Sequence, residues 1–555
     1  MKNVEKNRCF LILVAGMTIF SVVWFSCTDD FTKYNMDKNE IMELGQSQYA
    51  GAFSRILKTS LDWYDCEMHD ISNAVTLHSS GYTVTGFPLL DRFALRAGWT
   101  QSAFLDQSNA IFYANAIMDK AQESGDMNVY NMIKIYRSFS FLLLTDVWGP
   151  IPYKELGNGK LTVRYESQRD VYYQLFEDLT AAVAALTEEL NKNPALNVFG
   201  AGDVIFGGSV SQWVKFANVI RLRMALRISN VEPEKAKLEG EAAIATNLLL
   251  KYAGTDDMSL PTDPKFNMKN DNGYNRMNGY GEVIMSNNME SFLIGFKDPR
   301  VKEFFSPTTE EGWAVADFPE FAYRIGKYCG MASGTPHAKK DPVYLSHSKM
   351  GPRFHPDRMY ITPTPVFNAA ETWFLLAEAA WREWSGAGDM KTNYETGIRE
   401  SMKQWGITDQ TEIDSYLDGE SKPSATEYCR AEIEGEQTKF VTTIEQPLST
   451  ICVKFSSDKQ EQYEQIITQK WLAMYPNSTE AWAEYRRTRL PKLYPKKSSV
   501  NPNVDPAKGQ VLTRLPFIED EVASNREEIA KAIQLLGGPD LETTPLWWDI
   551  HPNGK

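Results

Sequence analysis

One short segment holds several of the side chains that acid–base chemistry uses. Residues 62–70 contain four carboxylates, a histidine and two aromatic rings. Glycoside hydrolysis needs a pair of carboxylates, and a group of carboxylates can also bind a cation. On a helix, however, Asp62, Asp65 and the pair at 69–70 follow one polar face, opposite Leu61 and Tyr64. We therefore interpret the cluster as a solvated helix face and expect neither catalysis nor a metal site there.

No other spacing in the chain matches a catalytic or cofactor motif. The sequence lacks the His-Glu-x-x-His metal spacing, the Gly-x-Ser-x-Gly nucleophile turn, a phosphate-binding loop and a dinucleotide fingerprint. We expect no enzyme activity, no cofactor and no metal. The alternative is a surface glycosidase or peptidase, which requires two carboxylates or a metal triad in one pocket.

Aromatic side chains in loop-rich segments are the candidate ligand-binding residues. Residues 251–362 are rich in Gly, Asn, Pro, Asp and Tyr, which is typical of turns and long loops. Such loops on a rigid scaffold often carry binding functions, and sugar C–H groups pack on aromatic faces. The candidates are Trp99, Tyr274, Tyr280 and Trp313, with Tyr82 and Tyr323 considered beside them. Each of these rings could instead be a local packing anchor.

The first 26 residues are typical of a secretory signal. Three basic residues precede an apolar run over 10–25, which is shorter than the roughly 20 residues of a membrane-spanning helix. Cleavage after Ser26 would leave Cys27 at the N-terminus for lipidation, and several acyl chains give stable anchoring. The sequence predicts a signal peptide over 1–26 and a lipid anchor at Cys27. The alternative is an ordinary signal or an uncleaved anchor.

The net charge indicates which partners to expect, and the cysteine positions indicate the state of the thiols. The net charge of -14 disfavours nucleic acid and anionic membrane surfaces as partners. The cysteines beyond Cys27 lie far apart and have no Cys-x-x-Cys spacing: Cys66, Cys329, Cys429 and Cys452. We expect buried free thiols, with a single disulfide as the alternative.

Apolar residues recur with helical spacing along most of the chain. Stripes at i, i+3, i+4 and i+7 occur within 132–143, 213–228 and 366–380. Thr364 and Pro365 are placed to cap and begin the last of these helices. Further helices are predicted at 102–122, 166–192, 233–250, 389–405, 458–475, 478–488 and 519–536.

The predicted helices follow one another in pairs, and strand-like alternation is scarce. Small residues at the expected contacts, such as Ala114 and Ala377, favour stacked hairpins of the tetratricopeptide type. We expect a mainly α fold of tetratricopeptide-like helical hairpins with long loop-rich excursions. Residues 27–555 would form a single α-helical unit, with the main excursion at about 251–362.

A series of motifs, in this order, resembles the SusD/RagB family of nutrient-binding lipoproteins, in particular its SusD-like group. The first is DVWGPIPYKE at 146–155, in which a glycine and two prolines end a helix. The others are at 213–229, 297–300, 371–380, 469–471, 480–488, 514–516, 537–540 and 546–549. Together they extend over most of the chain that follows Cys27.

The resemblance implies a SusD-like fold with four tetratricopeptide-like hairpins and a lipid-anchored protein of the outer membrane, facing the cell exterior. It also implies a SusC-like TonB-dependent barrel as partner. The expected function is binding of a nutrient, with the loop aromatics favouring an oligosaccharide. A peptide ligand, as in the RagB-like branch, is the alternative.

Several of the motifs are expected to be scaffold rather than site. The helix over 213–229 is rich in arginine, and guanidinium groups can bind carboxylate or phosphate ligands. Because Arg223 and Arg227 are four residues apart, we expect them to pair with carboxylates of neighbouring helices. Arg486 and Arg487 are interpreted in the same way.

Overall fold

The fold is mainly α-helical. The computed structural model describes residues 48–81, 90–95, 97–158, 160, 162–264, 268, 270, 283–309, 319–335, 346–434 and 437–551, without the side chains of 62–74, 90, 319–320, 356 and 431–438. Its helices are α1 Tyr49–Thr76, α2 Ala97–Ser124, α3 Met127–Trp148, α4 Gln168–Lys192, α5 Val210–Arg227, α6 Pro233–Ala245, α7 Asn287–Gly295, α8 Val301–Phe304, α9 Ala370–Trp381, α10 Met390–Gln404, α11 Gln410–Leu417, α12 Lys459–Met474, α13 Ser478–Thr488, α14 Glu519–Ser524 and α15 Arg526–Leu536. The predicted mainly α fold is confirmed.

Consecutive helices pack against each other as hairpins. The pairs α3–α4, α5–α6, α9–α10 and α12–α13 are in contact, and α9 also packs on α12. Many of these helices begin at a serine or aspartate whose side chain accepts a hydrogen bond from the first turn. These capping residues are Asp126, Ser167, Ser209, Ser286, Asp389, Asp409 and Asp458. Contacts gather Tyr49–Lys555 into one unit.

Strands in the described residues form three two-stranded antiparallel sheets. Strand β1 (Ser79–Gly81) pairs with β3 (Val283–Met285), and β2 (Met258–Leu260) pairs with β4 (Thr364–Phe367). The third sheet is a hairpin of β5 (Thr426–Glu434) and β6 (Gln437–Glu445). This hairpin is not among the elements predicted from the sequence, although threonine, valine, phenylalanine and isoleucine recur in it.

The predicted start of the helix over 366–380 is wrong. Thr364 and Pro365 belong to β4, where they pair with Leu260 and Ser259, and α9 begins only at Ala370. Proline lacks the N–H that a central strand needs, but a two-stranded sheet has only edges and accepts it. Pairing with a distant strand therefore overrides the local capping signal.

The helix predicted over 519–536 is interrupted. It consists of α14 and α15, which meet at Asn525. The Asn525 amide nitrogen Nδ2 donates to the Val163 main-chain oxygen at 2.8 Å, so its side chain is held by a distant segment. Helical spacing does not reveal such a tertiary contact at the point where the two helices meet.

Arginines of α5 pair with carboxylates of neighbouring helices, as predicted. Arg223 donates to Glu371 of α9 at 2.6 Å. Arg227 contacts Asp146 of α3 at 3.3 Å and also binds Glu480 of α13. All of these side chains are buried. The arginine-rich motif is therefore part of the scaffold, because its guanidinium groups are occupied inside the protein.

The two arginines of α13 are also buried in the scaffold. Arg487 contacts Glu378 at 2.6 Å and Glu484 at 2.7 Å, which confirms its predicted pairing. Arg486 differs from the prediction, since it donates to main-chain oxygens, including that of Asp146 at 2.7 Å. A guanidinium has five donors, and buried carbonyl groups can satisfy them as well as carboxylates.

Candidate functional site

Of the four aromatic residues predicted from the sequence to bind ligand, Trp99 lies in the described part of the chain. Trp99 stands in the first turn of α2 and is partly buried. Tyr274, Tyr280 and Trp313 lie outside the described residues, as does Cys27. We therefore describe the site through the described residues that come directly before and after the segments that contain these aromatic residues.

These flanking residues meet in one region of the fold. The segments concerned are 82–89, 271–282, 310–318 and 336–345. Gly81, which precedes the first segment, pairs with Val283, which follows the second. The Met285 main-chain oxygen accepts a hydrogen bond from the Met331 nitrogen at 2.8 Å, and the Met285 nitrogen donates to the Ser348 oxygen at 2.9 Å. Both of these neighbours lie within five residues of the ends of 336–345, so three of the segments start or end beside β3.

A buried aspartate ties together two of these ends. Asp91 accepts hydrogen bonds from the Ser80 hydroxyl at 3.1 Å and from the Gly334 main-chain nitrogen at 2.6 Å. Lys496 donates to the Asp91 carboxylate at 3.0 Å, and its side chain is only 2% exposed. Burial lowers the pKa of Lys496, and the neighbouring Asp91 offsets part of that effect.

A buried arginine connects the two ends of 310–318 with the residue that follows 336–345. Arg324 donates to the Ser346 hydroxyl at 3.1 Å and to the Glu427 carboxylate at 2.9 Å. The main-chain oxygen of Arg324 accepts a hydrogen bond from the Thr308 hydroxyl. Arg324 thus connects residues on both sides of 310–318 with the residue that follows 336–345.

The base of the β5–β6 hairpin joins the two clusters. Glu427, the partner of Arg324, lies in β5 next to Thr426, which pairs with Glu445 of β6. Glu445 in turn forms an ion pair with Lys497, the residue after Lys496. We call these contacts together the rim. It consists of Asp91 with Ser80, Gly334 and Lys496, of Arg324 with Ser346 and Glu427, and of the ion pair between Glu445 and Lys497.

An exposed aromatic ring stands on the rim. Tyr323 is 46% exposed, and its hydroxyl donates to Glu427, which also binds Arg324. Partial burial opposes the charge of Glu427, but these hydrogen bonds hold its pKa below the usual range. Lys327 lies 5.3 Å from the centre of the Tyr323 ring. A fixed ring beside charged groups can stack on an apolar face of a ligand and bond its polar groups.

Behind the rim, one carboxyl is buried beside a tightly packed glycine. A Cβ atom at Gly330 would lie 2.1 Å from the Ser286 main-chain oxygen, so only glycine permits this approach. The Gly330 nitrogen donates to Glu290 at 2.7 Å. Burial raises the pKa of Glu290 to about 7 and that of the adjacent Cys329 thiol to about 12. Cys329, Cys429 and Cys452 form no disulfide with one another, and Cys429 is buried.

We expect the contribution of Glu290 to the stability of the protein to fall as the pH rises from about 4.5 to 7. Glu290 titrates at about 7 when folded and near 4.5 when unfolded, so the folded state holds the proton across this window. The loss of unfolding free energy is roughly 3 kcal/mol. Glu290→Gln should remove this part of the pH dependence in denaturant titrations, whereas Glu188→Gln, at a 72% exposed side chain, should not. If the unfolding free energies of the wild type and of Glu290→Gln changed equally with pH, the assignment would be contradicted.

The described residues give no support for a metal centre or a membrane span. No group of three or more His, Cys, Asp or Glu side chains among them is placed to hold a metal ion. Residues 62–70 are helical as expected, but their side chains lie outside the description. None of the helices in the described ranges combines the length and apolar character needed to cross a bilayer.

The fold has clear counterparts among known proteins. Residues 80–549 match the family described as "Susd and RagB outer membrane lipoprotein". The chain therefore belongs to the SusD-like family of nutrient-binding outer-membrane lipoproteins. No individual curated protein is matched by the sequence.

Solved structures of SusD homologues are similar over nearly their whole length. A chitin-binding homologue from Flavobacterium johnsoniae is 26% identical with a TM-score of 0.75, covering 91% of this chain and 98% of its own. A homologue from Bacteroides vulgatus is 28% identical with a TM-score of 0.77, covering 92% and 99%. A SusD-like protein from Bacteroides thetaiotaomicron is 28% identical with a TM-score of 0.74, covering 91% and 100%.

Proposed function

We propose that this protein binds an oligosaccharide at the cell surface and delivers it to a TonB-dependent transporter. The rim is the observation that carries the proposal. Segments 82–89 and 310–318, which contain candidate aromatic residues, are flanked by the ion pairs Lys496–Asp91 and Arg324–Glu427, and 271–282 ends at β3. Such loops on a rigid scaffold suit recognition. Similarity to a chitin-binding homologue supports a glycan as the ligand class.

The proposed ligand-binding residues are Trp99, Tyr274, Tyr280 and Trp313. Their rings would pack on the C–H faces of sugar units, while polar groups nearby bond the hydroxyls. Tyr323 is a further candidate, because its exposed ring is held on the rim by Glu427. Chito-oligosaccharides are the first ligands to test, in view of the chitin-binding homologue.

The front of the chain is proposed to deliver and anchor the protein. Residues 1–26 act as a signal peptide, Cys27 carries the lipid, and 27–555 form the mature unit facing the cell exterior. The apolar run over 10–25 and the cysteine that follows it support this assignment. More than one acyl chain makes such anchoring stable.

Cys27→Ala is expected to abolish lipidation. The variant should be released from the membrane fraction, or retained with its signal uncleaved, because no acceptor thiol remains for the lipid. Metabolic labelling with palmitate measures this directly, and Cys452→Ala is the control. Unchanged palmitate labelling of Cys27→Ala would show that the anchor is elsewhere.

The proposed partner is a SusC-like TonB-dependent barrel. A lipid-anchored binding protein cannot itself carry a ligand across the outer membrane, so a transporter must accept the ligand. A stable complex should bury more than about 1,000 Å². We expect gentle detergent extraction through a tag on this chain to recover a large β-barrel. Recovery of the chain alone after crosslinking in cells would contradict the partnership.

A further inference from the structure

A small cavity opens where the C-terminal end of α10 meets the turn at Pro352–Phe354. Its volume is about 170 Å³. It lies outside the rim, next to β2 and β4, and its walls mix apolar and polar groups. The wall residues that matter here are Arg353, Trp405, Gln404, Ser259, Thr362 and Pro363.

The arginine in this cavity is held on an aromatic face. The guanidinium carbon of Arg353 lies 4.5 Å from the centre of the Trp405 ring. Trp405 is only 3% exposed and packs on Phe304 at 4.5 Å and on Tyr475 at 6.0 Å between ring centres. Stacking on a fixed indole orients the guanidinium and leaves its edge donors available.

The Arg353 guanidinium has no directly bonded protein partner among the described residues, and Glu303 acts on its charge only electrostatically. No hydrogen bond or ion pair within the described ranges involves its side-chain nitrogens, whereas Arg223, Arg324 and Arg487 each bind a carboxylate. Asp257 also lines the cavity, but its two oxygens accept main-chain hydrogen bonds at 2.8 and 2.7 Å. A partly buried, permanently charged group with free donors is suited to an external anion.

The other residues that line the cavity indicate which further chemical groups the ligand has. The Gln404 oxygen Oε1 is buried and accepts no hydrogen bond within the described structure. The Ser259 and Thr362 side chains add hydroxyl groups, and Pro363 adds an apolar surface. The volume is below the roughly 300 Å³ at which pockets for drug-sized ligands begin, so it fits a single small unit.

We propose that this cavity binds one sugar acid, with the ligand carboxylate on Arg353 and its hydroxyl groups on the polar wall. A planar guanidinium matches a carboxylate with two parallel hydrogen bonds. The Ser259 and Thr362 hydroxyl groups are the wall groups that bond the ligand hydroxyls. This assignment goes beyond the proposed function, because it adds a second site with its own ligand class.

The test is calorimetric titration of the purified protein with D-galacturonate, D-galactose, L-alanine and sulfate. We expect saturable binding of galacturonate and much weaker binding of the other three, which lack either the carboxylate or the sugar ring. Arg353→Ala should weaken galacturonate binding at least about tenfold, because a charged hydrogen-bonded pair is lost. Arg353→Lys should bind at an intermediate level, since it keeps the charge but not the planar fork.

Matched controls separate this site from the rim. Arg358→Ala removes an exposed arginine of the same segment, and Tyr323→Ala alters the rim; both should bind galacturonate as the wild type does. Near-ultraviolet circular dichroism checks that the Arg353 variants keep the Trp405 environment. Absence of galacturonate binding, its persistence in a folded Arg353→Ala variant, or equal binding of galactose, alanine or sulfate would overturn the proposal. None of these outcomes bears on oligosaccharide binding at the rim.

Discussion

Replacing Arg487 with leucine is expected to lower the free energy of unfolding by about 3–5 kcal/mol. The Arg487 side chain is fully buried and forms ion pairs with Glu378 at 2.6 Å and Glu484 at 2.7 Å. The guanidinium holds the pKa of both carboxyls below the usual range against the effect of burial. Leucine leaves that negative charge uncompensated inside the helical scaffold.

Equilibrium denaturation of matched variants measures this effect. Arg487→Lys keeps a charge and should be less destabilised than Arg487→Leu. Arg399→Leu removes an exposed ion pair with Asp414, whose side chains are 37% and 53% exposed, and should lose less than about 1 kcal/mol. A loss of similar size for Arg487→Leu and Arg399→Leu would refute the idea that buried ion pairs hold the hairpins together.

The combined replacement of Trp99, Tyr274, Tyr280 and Trp313 by alanine is expected to abolish most oligosaccharide binding. Stacking on an aromatic ring contributes about 1–3 kcal/mol in the comparable case of nucleic-acid bases, or about 5- to 150-fold in affinity. Two contacting rings at the lower value already give a loss of about 30-fold. The single variants, measured by calorimetry, identify which rings contribute.

The stability of the quadruple variant should be close to that of the wild type, if these rings serve binding rather than packing. Tyr252→Ala is the matched control, because Tyr252 is 55% exposed and its ring neighbours Trp373, away from the rim. Full affinity in a folded quadruple variant would place the ligand on another face of the protein.

The helical scaffold could be predicted because its signals are local. The apolar stripe over 132–143 lies within α3, and the arginines of α5 reach carboxylates as their spacing suggested. The start of α9 could not be predicted, since Thr364 and Pro365 are held in β4 by a strand about a hundred residues earlier in the chain. Helical spacing contains no information on such pairing.

The rim was not predictable, because its contacts join residues that are distant in the sequence. Lys496 is buried against Asp91, 405 residues away in the sequence. Arg324 and Glu427 are 103 residues apart. Aromatic residues in loop-rich sequence indicated a binding function, but neither their composition nor their spacing shows which side chains support them.

The most direct test of the central claim is to probe glycan and peptide arrays with the same preparation of purified protein. We predict saturable binding to at least one oligosaccharide, weakened by the quadruple aromatic variant and unchanged by Tyr252→Ala. Binding to peptides alone, or to no glycan while the protein is folded, would contradict oligosaccharide binding and favour the peptide-binding alternative in the first case.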